Sequence, residues 1–369
     1  MNVLHALIAA ALALSLPAQA SEARRALIVV SSQGRDAGKT RPGFEMDEFA
    51  QTWLILRANG FVVDVASPAG GQVEADQFDP KESFNAAVLA DAEAGRQLAA
   101  TRRTDAVAAA DYQAVLVMGG KGAMFDLAGD AALHRLLGQV HADGGVVAAV
   151  CHGPAALVEA RLPDGSLLVA DRAVTGFSLE EEAVFGKKWA PQFRFALETA
   201  LREAGAHWRE APLMMPRVVV DGRLVTGQNP YSTAATAEAV VRALGRTPVA
   251  RTPWRDELTM ALAERALAGD VAAVRTELAA QPTRFHTALL GLLGYYQLQA
   301  AANDAAVRDA LTLMQLARPY MAEPELPLGI AEAQWRLGET AQARETLAAV
   351  LAKHPDLTQA RDMQARLSR

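Results

Sequence analysis

The sequence predicts an α/β fold in two parts: a mostly parallel sheet sandwiched by helices, then an all-α module of helical hairpins. Three observations carry this expectation. Short apolar runs alternate with helix-periodic segments from Arg25 to about Gly245, the pattern of a parallel sheet covered on both faces. Beyond Gly245 the strand-like runs stop, and the turn residues Gly269, Asn303 and Gly338 fall 34 and 35 residues apart. At 369 residues the chain is too long for one ordinary domain, and a 51% hydrophobic fraction is ample for two cores.

Taken in order, residues 1–20 come first. They contain no Lys, Arg, Asp or Glu, and an apolar run from Val3 to Leu16 ends at Pro17 and Ala18-Gln19-Ala20. This predicts a signal peptide cleaved after Ala20 and a periplasmic or secreted protein. The run is too short to span a bilayer comfortably, and no other stretch predicts a membrane span. Ala26–Ser31, Phe61–Ala66, Ala114–Met118 and Val146–Val150 read as buried strands. Phe44–Asn59 has helical spacing and stops at Gly60, and Asp130–Ala142 is a second helix. Asp76–Asp111 is Ala-rich and reads as a helical insertion over one sheet edge. Gly153–Ala160 reads as a helix opened by Pro154. Val218–Val220 and Leu224–Thr226 flank the turn Asp221-Gly222, and Thr233–Leu244 closes the domain. The whole of 25–245 is therefore expected to be Rossmann-like (flavodoxin-like).

Residues 246–254 contain two prolines and read as a linker. Residues 255–369 divide into three hairpins: Asp256–Ala268 with Val271–Ala280, Thr287–Ala302 with Ala305–Ala317, and Leu326–Leu337 with Thr340–Lys353. The period resembles tetratricopeptide-type repeats, most clearly in the third unit (Ala331, Trp335, Gly338, Ala343, Leu347, Pro355). Stacked hairpins would offer a face for a protein partner.

Composition narrows the chemistry. A net charge of -6 argues against a nucleic-acid partner. A single cysteine excludes an intramolecular disulfide and a zinc site built on several thiolates. His134 and His141 are too far apart on one helix to share an ion, and Gly34–Thr40 lacks the first glycine of a phosphate-binding loop. No metal and no cofactor is expected. Attention falls on Cys151, which lies between a buried strand and a helix-starting Gly153-Pro154. A nucleophile there sits on a sharp turn above the sheet, and a helix N-terminus would favour its thiolate. His152 follows directly and can serve as its base.

Four blocks in order, GFEMDEF with GFVVDVASPAGG, AAVCHGPAALV, VTGF followed by an acidic triplet, and DGRLVTGQNP, resemble the ThiJ/PfpI superfamily. The similarity is to its glyoxalase III-like branch, which has a class I glutamine amidotransferase-like fold. The resemblance implies Cys151 as nucleophile, His152 as base, and Glu182 as the third member, with Glu181 the runner-up. It implies that Glu48 contacts the sulfur in protonated form, and that amides of Gly119, Gly120 and His152 form an oxyanion site. Lys121 stands where the family usually has histidine, and an ammonium there would lower the thiol pKa or orient a carbonyl. Glu45 replaces an aromatic or apolar residue and makes the entrance more acidic. The Gly227–Pro230 block is expected to be mainly structural. The activity implied is a cofactor-independent, glutathione-independent glyoxalase acting on a small reactive carbonyl. Cysteine amidase, peptidase or protein deglycase chemistry is the second reading. A stress chaperone that docks clients on residues 255–369 is the third. A homodimer is left open.

Overall fold

The computed structural model describes residues 24–367. The signal peptide expected over residues 1–20 lies outside these. The first domain is built on nine strands: β1 (Arg25–Val29), β2 (Val62–Ser67), β3 (Arg102–Arg103), β4 (Ala114–Val117), β5 (Val146–Val150), β6 (Ala173–Val174), β7 (His207–Trp208), β8 (Val218–Asp221) and β9 (Leu224–Gly227). Seven form one sheet in the order β3-β2-β1-β4-β5-β9-β8, while β6 and β7 pair separately. All neighbours in the large sheet are parallel except β8, which returns antiparallel to β9 through Gly222 at φ 60°. Every residue of β4 and β5 is buried, which is why these strands read as unbroken apolar runs.

Seven helices belong to this domain: α1 (Met46–Ala58), α2 (Ser83–Leu89), α3 (Ala92–Ala99), α4 (Ala131–Ala142), α5 (Leu179–Phe185), α6 (Leu197–Glu203) and α7 (Thr233–Ala243). α1 and α7 pack on one another and on the sheet, and α4 packs against β4 and β5. The sheet is thus sandwiched by helices. Chain order steps outward on both sides of β1, with β2 on one side and β4 on the other. That reversal opens a crevice at the carboxyl ends of the strands.

Two local expectations are corrected. The segment 76–111 is more than an insertion, because Arg102–Arg103 joins the sheet as the edge strand β3 beside Ala66-Ser67. The helix expected at Gly153–Ala160 is only a five-residue 3-10 turn, Gly153–Leu157. A Cβ on Gly153 would stand 2.4 Å from the Val117 carbonyl oxygen, so the chain is pressed onto β4 and has no room for a regular helix.

The remainder is helical: α8 (Arg255–Leu267), α9 (Val271–Ala280), α10 (Thr287–Ala300), α11 (Asp304–Ala317), α12 (Glu325–Arg336), α13 (Thr340–Lys353) and α14 (Thr358–Leu367). Gly269 and Gly338 turn the chain at φ 102° and 77°, and Asn303 caps α11 through Ala306 N–H. Buried Met260, Leu290, Leu293, Met314 and Ile330 form a core of its own. The two parts are not independent, since Met215 of the first domain is buried in that second core. Residues 246–254 are also docked: the Val249 N–H donates to Asn59 Oδ1 at 2.8 Å, and Trp254 packs edge-on against Phe84.

Candidate active site

Cys151 follows β5 at the carboxyl edge of the sheet. Its φ is 58°, a left-handed conformation that is costly for a residue with a side chain. Neighbouring structure holds it there: its N–H donates to Gly227 O at 2.9 Å and its carbonyl accepts from Phe177 N–H at 2.8 Å. Gly119 makes the turn fit, because a Cβ there would lie 2.7 Å from Cys151 Cβ and 2.8 Å from His152 N.

The Cys151 Sγ is 3.4 Å from His152 Nδ1, and His152 Nε2 is 2.7 Å from Glu182 Oε2. An ionised carboxylate can only accept, so the ring proton sits on Nε2 and Nδ1 faces the thiol as an acceptor. Phe177 lies over the imidazole with centroids 4.4 Å apart, and Phe193 meets it edge-on at 6.0 Å. The imidazole is thereby packed against aromatic rings and buried.

Glu181 and Glu182 have different surroundings. Ser178 caps α5, accepting from Glu181 N–H, while Glu181 Oε2 accepts from Ser178 N–H. Glu181 Oε1 takes three donors, Met214 N–H, Gln228 Nε2 and Asn229 Nδ2, at 2.9–3.0 Å. Its carboxylate ties α5 to the block Gly227–Pro230 and is turned away from the imidazole. Glu182, one residue on, is the acid that meets His152.

Glu48 lies in the first turn of α1 and is fully buried. Its Oε2 accepts from Gly119 N–H at 2.6 Å. Oε1 has no conventional hydrogen-bond partner, and the carboxyl as a whole interacts with the Cys151 thiol. Burial, then the nearby Glu45 carboxyl, pushes Glu48 well above the usual carboxylate range. Burial therefore favours the protonated form of this carboxyl. Burial and then Glu48 likewise push the Cys151 thiol up, offset in part by the Gly120 N–H directed at the sulfur. This direction runs against the expectation of a thiolate favoured by a helix N-terminus. The turn after Cys151 is only a five-residue 3-10 turn, and burial of the sulfur disfavours its charged form. Of the three amides expected at the oxyanion site, that of Gly119 is engaged by Glu48 and that of Gly120 is directed at the Cys151 sulfur.

Lys121 and Glu45 sit together with Asp76, which the sequence reading missed. Asp76 Oδ1 accepts from Gly43 N–H at 2.6 Å. Burial, then repulsion from Asp47 and Asp76, raises Glu45 to about 8, and the Lys121 ammonium opposes this. Burial raises Asp76 as well, and Lys121 again pulls it down. Lys121 therefore acts on two carboxyl groups that the sequence did not connect to it. Phe125, Trp189 and Phe193, in edge contact at 5.5 and 6.2 Å, form an aromatic wall beside His152. Only the aromatic density of residues 189–195 hinted at it.

The fold and this cluster define an α/β protein with a buried cysteine–histidine–carboxylate centre at a strand elbow. The chain belongs to the DJ-1/PfpI family, which it matches over residues 40–243. It falls in the glyoxalase III-like branch of that family. A glutathione-independent glyoxalase of Schizosaccharomyces pombe is 32% identical over 220 residues, covering 54% of this chain and 86% of that protein. A glutathione-independent glyoxalase of Saccharomyces cerevisiae is 30% identical, covering 57% and 91%. Among solved structures, glyoxalase III of Candida albicans superposes with a TM-score of 0.55 at 25% identity, covering 60% of this chain and 97% of that one. The Rapid Encystment Protein of Francisella tularensis gives 0.55 at 28% identity. The family match ends before α8.

Proposed function

We propose that the protein is a cofactor-independent glyoxalase that converts methylglyoxal or a related 2-oxoaldehyde to the 2-hydroxy acid, with Cys151 as nucleophile. One observation carries this reading over simple hydrolysis. The thiol has the His152 imidazole at 3.4 Å and also interacts with the buried Glu48 carboxyl, whose protonated form burial favours, two proton carriers around one sulfur. Amide hydrolysis needs one; moving hydrogen from one carbon to the next needs proton transfers at two positions.

His152 Nδ1 accepts the thiol proton as sulfur attacks the aldehyde carbon, and the proton passes to the aldehyde oxygen to give a hemithioacetal. Glu182 stabilises the imidazolium formed on the way. The amides of Gly120 and His152 support the oxygen while it carries charge. His152 takes the C–H proton of the former aldehyde carbon while Glu48 gives its proton to the neighbouring carbonyl oxygen, forming an enediol; His152 then returns its proton to the adjacent carbon as the hydroxyl proton on the sulfur-bearing carbon passes to Glu48, forming a thioester. Water cleaves the thioester, releasing lactate from methylglyoxal and restoring the thiol. The aldehyde carbon is oxidised and its neighbour reduced, so no external oxidant or reductant is required. Lys121, among Glu45 and Asp76, orients the second carbonyl.

The test is lactate formation from methylglyoxal by the purified protein. Turnover is expected, and Cys151→Ala is expected to abolish it. No turnover, or turnover that survives Cys151→Ala, overturns the reading.

A further inference from the structure

The C-terminal module reaches the cysteine centre through α5. Phe185 follows Glu182 by three residues, so both side chains leave adjacent turns of the same short helix. The Phe185 ring packs edge-on against Tyr296 of α10 with centroids 4.8 Å apart, and stands 6.5 Å from Phe177. Phe177 in turn covers the His152 imidazole at 4.4 Å. Rings therefore run from the helical module to the base, and the helix they press on carries the base's carboxylate.

A second hold lies beside the first. Gln297, next to Tyr296, is buried and donates to Leu213 O at 3.0 Å. The following Met214 has φ 58° and donates its N–H to Glu181 Oε1, while Met215 enters the core of the module. With seven residues, α5 is too short to fix its own position; what packs on it decides where Glu182 points. These contacts come from a part of the chain beyond residue 243, where the family match ends.

We infer that Tyr296 is a positioning residue for the His152–Glu182 pair, which makes the C-terminal module a working part of the cysteine centre. The inference rests on the Cys151–His152–Glu182 reading above, and not on which carbonyl compound is the substrate.

The test uses the full-length protein and the rate of iodoacetamide alkylation across pH. Cys151 is the only cysteine, so thiol alkylation reports this site, with Cys151→Ala as the blank for other side chains. Tyr296→Ala is expected to slow alkylation at neutral pH about three- to tenfold, the range of a lost aromatic pair, and to move the pH profile upward. Tyr296→Phe keeps the ring and should behave as wild type. So should Leu292→Ala, an exposed position on the same helix. Methylglyoxal turnover, if present, should lose kcat with KM unchanged. Should wild type show no turnover, the glyoxalase reading fails while the alkylation series still decides this one. A folded Tyr296→Ala variant with wild-type rate and profile overturns the inference, as does a Tyr296→Phe variant impaired as much as Tyr296→Ala. If Tyr296→Ala does not fold, Tyr296→Leu keeps the bulk without the ring and is read in the same way.

Discussion

The acidic triplet Glu180–Glu182 shows what one residue of register decides. Glu182 reaches the imidazole at 2.7 Å, whereas Glu181 satisfies Met214, Gln228 and Asn229. Replacing Glu182 by Gln keeps the shape but removes the charge that holds the ring proton on Nε2. Activity is expected to fall by about 10²- to 10⁴-fold with little change in thermal stability, measurable by steady-state kinetics alongside a melting curve. Glu181→Gln should do the reverse in emphasis: both carboxylate oxygens accept, so the amide nitrogen would face a donor in either orientation, the Ser178 N–H at the least, and the melting temperature should drop. Glu45 makes a different prediction. Its folded pKa, about 8, lies above the unfolded carboxylate value, so the native state binds the proton more tightly. Stability is then unaffected at low pH and declines as pH rises from the unfolded pKa to about 8. Glu45→Gln should melt like wild type in acid and higher than wild type above the folded pKa. Parallel melting curves for the two proteins at every pH would remove Glu45 as the cause.

At the scale of elements, α5 is the piece on which the candidate site depends most. Its N-cap is Ser178, in a reciprocal pair with Glu181. Ser178→Ala is expected to cost about 1 kcal/mol in a denaturant titration and to slow Cys151 alkylation, because the same turn carries Glu182. Loss of stability with unchanged alkylation would separate the cap from the site. This element also marks the limit of legibility in the sequence. β1, β2, β4 and β5 were readable because strands buried on both faces are continuous apolar runs, and α8–α13 because turn residues punctuate them at a regular spacing. α5 and the ladder β6–β7 have no such pattern, being short and held by contacts distant in sequence. The cysteine elbow was readable from Val150 to Pro154, but its electrostatics were not. The thiol's state depends on burial and on Glu48, 103 positions earlier; local spacing reveals neither, and only the family resemblance pointed to Glu48. The turn after Cys151 went wrong for a related reason: Pro154 suits a first helical turn, but contact of Gly153 with β4 overrode that local preference.

For the whole molecule, the question is whether the two parts unfold as one. A proline-containing linker suggests independence, yet residues 246–254 are bound on both sides. Arg251 hydrogen-bonds Glu257 of α8 at 2.6 and 2.7 Å and Glu238 of α7 at 3.1 Å. Its guanidinium also lies 4.4 Å from the centroid of Trp254. That ring packs against Phe84 at 5.6 Å and covers the buried patch of Ile55, Ala234 and Ala237. Together with Met215 in the helical core and the Gln297–Leu213 and Tyr296–Phe185 contacts beside it, these contacts join the parts at two separate places. The expected result is one cooperative transition in calorimetry for the wild-type chain. Trp254 is half-buried at the first of these places, and Trp254→Ala would leave Arg251 without its ring and Phe84 facing a gap. The substitution should cost about 2–4 kcal/mol, the lower part of the range for large aromatic deletions. Because the lost contacts lie between the parts, the loss should appear as a split into two transitions, the α/β domain melting apart from α8–α14. A single transition merely shifted to lower temperature would show that the strap around Met215 suffices to couple them. An unshifted single transition would show that Trp254 contributes nothing to the joint.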